Sequence, residues 1–105
     1  MVEDRYPDLD AGVGEVVDAE LVVTEDVLLK AFALGPGAEL DPHEHAGSTN
    51  VFHVTEGTVT VIQDGEERDI EAPGVVLHDR GQSHGARNDT DEVAVLTASL
   101  CPMPS

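Results

Sequence analysis

Cysteine, tryptophan and lysine are almost missing from this chain of 105 residues, and each shortage closes off a class of function. Cys101 is the sole cysteine, so no intrachain disulfide can form. Near the C-terminus and followed by Pro102, it reads as a packed or half-exposed thiol rather than a nucleophile. There is no tryptophan, one tyrosine and two phenylalanines, which leaves no stacking platform for a flavonoid, a sugar or a nucleobase. Phe32 and Phe52 with several valines and leucines would line a small apolar cavity, so a small ligand is expected. Lys30 is the only lysine, and five basic residues face 22 acidic ones for a net charge of −17. Such a surface repels nucleic acid and anionic membrane. The acids run along the whole chain instead of forming one block. That favours a surface adapted to concentrated salt, as in a halophile, over one acidic face for a basic partner. In molar salt the screening length is only about 3 Å, so self-repulsion is largely damped. No apolar stretch is long enough for a membrane span, and no charged-then-apolar signal opens the chain. A soluble, cytoplasmic protein is the expectation.

Long amphipathic helical runs are also missing. What the chain has instead is ten glycines and six prolines spread between short valine-rich runs, the pattern of many strands joined by turns. The length suits one domain. Residues 1–14 are acidic and hold Pro7, Gly12 and Gly14; they read as an arm, either loosely ordered or laid across a partner subunit, ahead of a single domain over 15–105. Strands are predicted over 15–24 and 27–34, over 38–45, and over 50–55 paired to 58–63 through a turn at Glu56-Gly57. Asp64-Gly65 signals a tight hairpin into a polar edge strand over 66–71. Further strands are predicted over 75–78, 83–88 and 92–100. No internal repeat is visible, and no helix-turn-helix precedes the strands.

All five histidines lie between positions 43 and 84. His43 and His45 are two apart, and along a strand such side chains share a face. They stand in the spacing Gly37, five residues, His43, one, His45, four, Asn50, six, Gly57. Further on, Gly81, two residues, His84, three residues, Asn88 forms a second group. This pair of motifs, in this order and separation, resembles the two motifs of the cupins, and the resemblance covers about residues 27–100. It implies an all-β fold, a cupin-like β-barrel or double-stranded jelly roll with a single barrel, and a homodimer. It also implies one divalent transition metal held by His43, His45 and His84.

Two positions depart from the family pattern. Asn50 stands where cupins usually carry a ligating glutamate, and Asp79 where the second motif usually has proline. An amide at Asn50 either donates a neutral oxygen to the metal or points away and leaves that position to water. Three neutral imidazoles leave the ion's charge uncompensated by its ligands, which favours Zn, Fe, Ni or Cu over the harder Mn or Mg and makes a stronger Lewis acid. A three-histidine iron site also resembles that of the thiol dioxygenases. If Asn50 faces inward, alternation puts Phe52 and Val54 inward and His53 on the surface. His78 reads as a strand-end histidine bonded to backbone, with a supporting acid–base or ligand role as the alternative. Ser48 and Thr49 sit beside the ligand strand, and Arg80 and Arg87 are expected to pair with neighbouring acids such as Asp79 and Asp89. Three functions follow: a metal-dependent enzyme such as an oxygenase of a small substrate, a metal-bearing barrel that binds a small ligand without turnover, or a metal-free structural barrel.

Overall fold

The computed structural model describes residues 2–104. Among them the chain forms nine strands: β1 (Val16–Val23), β2 (Leu28–Leu34), β3 (Glu39–His43), β4 (Thr49–Glu56), β5 (Thr58–Gln63), β6 (Glu66–Glu71), β7 (Gly74–His78), β8 (His84–Arg87) and β9 (Ala94–Cys101). Two antiparallel sheets result, one ordered β1-β2-β9-β4-β7 and the other β3-β8-β5-β6. Their inner faces enclose the core, in which Leu34, Phe52, Val54, Val59, Val61, Ala86 and Leu96 are buried together. This is the all-β jelly roll that the sequence implies. Among the described residues no helix is long and apolar enough to cross a membrane.

Period-two alternation decides which side chains reach the core. On β4, Asn50, Phe52 and Val54 are buried while His53 is exposed, as alternation from Asn50 requires. On β2, Leu34 lies in the main core and Phe32 packs against it, whereas Ala33 faces the other way. There Ala33 and Val95 bury Ala11 of the N-terminal segment. Gly14 donates to Pro36 O at 2.7 Å and Gly35 to Glu15 O at 2.9 Å, tying that segment to the end of β2.

The Asp64-Gly65 hairpin forms as expected. Both residues have positive φ (49° and 84°) and Gln63 faces Glu66 across the turn. β6, with five charged side chains, occupies a sheet edge, where charge discourages pairing with another chain.

The predicted hairpin at Glu56-Gly57 does not form. β4 pairs with β9 and β7, whereas β5 pairs with β6 and β8 in the opposite sheet. A register shift between Val54 and Glu56 and a positive φ of 70° at Gly57 turn the chain out of one sheet and into the other. A side chain at Gly57 would also press on the backbone of Val93 and Ala94. Nor does the third strand reach His45. It stops at His43, because Pro42 offers no N–H to the ladder and the register against β8 slips between Leu40 and His43.

Candidate metal centre

Three separate pieces of chain bring imidazoles to one end of the sandwich. His43 closes β3, His45 follows in the loop, and His84 opens β8, directly across from His43. The ring centroids lie 4.9 Å apart for His43–His45, 4.6 Å for His43–His84 and 5.5 Å for His45–His84. One nitrogen from each ring can be chosen so that all three lie within 4.8 Å of one another. The pairing of His43 and His45 is therefore made by a strand end and a loop, not by two positions of one strand.

The hydrogen bonds fix which atom of His84 is available. Its Nδ1–H donates to Gln82 O at 3.1 Å, so Nε2 carries the lone pair. Asn50 Nδ2 donates to that Nε2 at 2.9 Å. Asn50 is only 2 % exposed, and its Oδ1 is buried with no partner. A buried carbonyl without a donor is costly, and a cation is one thing that satisfies it. Burial, with the neighbouring imidazoles adding to it, pushes the pKa of His84 and of His45 down. Both are thus held in the neutral form that ligates metals. Three imidazoles with an orphaned amide oxygen alongside fit a divalent transition metal.

His78 is fully buried, cross-strand from Asn50, with its ring stacked on His84 at 4.8 Å and edge-on to Phe52 at 4.4 Å. It is not bonded to backbone. Its Nδ1 accepts from Gln63 Nε2 at 2.9 Å, and the same amide reaches Leu77 O at 2.8 Å. The proton must then sit on Nε2, which has no partner. Burial lowers its pKa to about 4, with the His84 charge acting in the same sense. The sequence carried only a weak signal for this: alternation along β7 places Val76 and His78 together, opposite the exposed Val75 and Leu77.

The remaining polar candidates lie elsewhere. His53 is exposed on the outer face of β4. The Ser48 hydroxyl donates to Pro102 O at 2.7 Å, and Thr49 faces Cys101 in the ladder. Cys101 is a free, exposed thiol. Arg87 forks between Glu67 and Asp89 at 2.7 and 2.8 Å. Arg80 is exposed, and among the described residues it forms no ion pair with Asp79 or any other acid.

A cavity of about 410 Å³ opens beside the histidines, lined by His43, His45, Asn50, Phe52, Phe32 and Lys30 among others. A groove of about 490 Å³ between β6 and β7 is larger, but none of the five histidines lines it. Two of the three imidazoles, His43 and His45, line the smaller one with Asn50.

The family model for the cupin domain matches residues 31–101, which span both motifs. An oxalate-binding protein of Thermotoga maritima is 31 % identical over 102 residues, covering 89 % of this chain and 84 % of its own. Among solved structures, the TT1209 protein of Thermus thermophilus superposes with a TM-score of 0.85 at 26 % identity, over 96 % of this chain and all of its own. A predicted oxalate decarboxylase of Thermotoga maritima gives 0.83 at 23 % identity, over 98 % and 100 %, a likeness of fold.

Proposed function

Because the chain belongs to the cupin family, we propose that it holds one divalent transition metal (Zn, Fe, Ni or Cu) through His43, His45 and His84 and binds a small carboxylate in the adjoining cavity. The observation that carries this reading is the convergence of three imidazoles from two distant motifs, two of which, His43 and His45, line one cavity together with Asn50. Similarity to an oxalate-binding protein supports the carboxylate. When bound, the metal supplies Lewis acidity and open positions for ligand oxygens.

The chain's own residues do the rest. Gln82 O holds the His84 tautomer, so that Nε2 keeps the lone pair that would ligate the ion. Asn50 guards that lone pair. Its Nδ2 donates to Nε2; were an ion to take that lone pair, the buried, unpartnered Oδ1 would be the amide atom able to serve as a further neutral donor. Phe52 and Phe32 keep the cavity wall apolar and His78 fills the space behind His84, which restricts water to the mouth.

Elemental analysis of protein purified without chelator should give one transition metal per chain. Calorimetric titration of that protein with oxalate should then give saturable binding, lost in His84→Ala. A chain that carries no metal and gains no thermal stability from any of the four ions would overturn the proposal and leave a structural barrel. A second reading, a metal-dependent oxygenase, is supported by the absence of any carboxylate from the donor set. Oxygen uptake with a panel of small thiols, diketones and phenols distinguishes it from binding without turnover.

A further inference from the structure

We propose that Lys30 reads a second carboxylate, so that the ligand of this cavity is a small dicarboxylate rather than a monocarboxylate; the inference rests on the metal–carboxylate reading above. Lys30 is the only lysine in a chain of net charge −17, and it is only partly exposed. It sits on β2 between Leu28 and Phe32, at the inward phase of the strand, and lines the same cavity as His43, His45 and Asn50. The wall around it is mostly apolar, with Leu28, Phe32, Phe52 and Leu100. A cation in that position has lost much of its water, and its side chain is only 27 % exposed.

Two features hold the ammonium there. It lies 5.2 Å from the centroid of the Phe32 ring, within cation–π range. Asp18 Oδ2 accepts from it at 3.0 Å, from the half-exposed edge strand β1. An ammonium has three N–H donors, so Asp18 leaves two for a ligand. Asp41, the acid on the cavity wall itself, is exposed. One end of a dicarboxylate at the histidines and the other at Lys30 would use both sources of positive charge in the cavity.

The test is calorimetric binding to zinc-loaded protein of oxalate, malonate and succinate, each against its half-amide, which keeps one carboxylate and replaces the other with a neutral group. The best dicarboxylate should bind wild type at least tenfold more tightly than its half-amide, since a charge-assisted hydrogen bond is worth about that much. Lys30→Met should remove that preference while leaving half-amide affinity and zinc content within about twofold, and Lys30→Arg should restore part of it. Equal binding of dicarboxylate and half-amide by wild type overturns the inference without recourse to any variant, as does a preference that survives in a folded Lys30→Met protein. Zinc-loaded wild type that binds no carboxylate at all overturns both this inference and the reading it rests on.

Discussion

Replacing Gly85 with alanine should damage the metal centre more than it damages the fold. A Cβ at this position would stand 2.8 Å from Leu40 O, 3.0 Å from Pro42 N and 3.1 Å from Pro42 Cα. All three are backbone atoms, so no side-chain rotation relieves the contact. Ordinary van der Waals separation begins near 3.4 Å, so β3 must retreat by about half an ångström. It is free to do so, being an edge strand paired only with β8. His43 follows Pro42 directly and would move with it, away from His84. The three nitrogens now lie within 4.8 Å of one another. An ion with bonds of about 2.0–2.1 Å needs them roughly 3.3 Å apart, so the displacement runs against the contraction that binding requires. Overpacking should cost about 1–3 kcal/mol of stability. Zinc affinity should fall tenfold or more, which removes a further ~1.4 kcal/mol of metal-dependent stabilisation. Urea unfolding of the metal-free protein measures the first effect, and competition against a chromophoric chelator measures the second. A folded Gly85→Ala protein with wild-type zinc affinity would refute the idea that the approach of β3 to β8 sets the site's geometry.

Gly35→Ala is the complementary perturbation: its Cβ would collide with the carbonyl of Gly12, unseat Ala11 from Ala33 and Val95, and expose the N-terminal segment to proteolysis with zinc affinity unchanged. Loss of zinc binding in that variant would show the segment and the site to be coupled. Asn50→Glu places a carboxylate beside His84 Nε2 and should shift metal preference toward Mn and Mg in equilibrium titrations; an unchanged preference would mean that position 50 does not reach the ion. Acid should destabilise the metal-free protein from about pH 6.5 down to pH 4. His78 has its pKa lowered from 6.5 to about 4, so the unfolded chain binds the extra proton and stability is lost as pH falls, by on the order of 3 kcal/mol in full. Urea midpoints at pH 7, 5.5 and 4.5 should show this slope, and His78→Phe should flatten it; a slope untouched by that change would locate the acid sensitivity elsewhere. Raising salt from about 0.05 to 1 M shrinks the screening length from above 10 Å to about 3 Å. Dicarboxylate affinity should therefore hold or rise as the field of the −17 chain is damped, whereas a steady fall would mark a diffuse ion-exchange site.

What could be read in the sequence was set by local rules. Asp64-Gly65 announces its turn because the backbone there needs positive φ at both residues, and the two histidine motifs announce themselves by spacing. The turn at Glu56-Gly57 looks the same locally, a strand, a glycine and another strand. Its outcome depends on partners far along the chain: Asn50 faces Leu100 on one side and His78 on the other, and once both edges of β4 are taken, β5 has to join the opposite sheet. His78 was obscure for a related reason. Its tautomer is set by an amide at Gln63 that comes from the other sheet. Lys30 is different. Its neighbours two residues away on either side, Leu28 and Phe32, already mark its position as inward, and the alternation that placed His53 outside would have placed Lys30 inside.

The distribution of charge gives the molecule its chemical character more directly than the fold does. Twenty-two acids keep the outside negative, and the edge strand β6 alone carries four of them. Inside, the donors are neutral: burial holds His45, His78 and His84 uncharged, and an amide stands where a carboxylate would cancel part of an ion's charge. A metal entering this site therefore keeps its positive charge unspent by the protein, in a cavity whose one other cation is Lys30. The acidic exterior attracts the metal ion, while the neutral interior leaves that ion's charge for an anionic ligand. An anion that offers only one carboxylate satisfies half of that cavity, and the long-range field of the chain works against its entry. On the reading proposed above, a dianion able to reach from the histidines to Lys30 on β2 would gain at both ends, which offsets the repulsion of so acidic a chain.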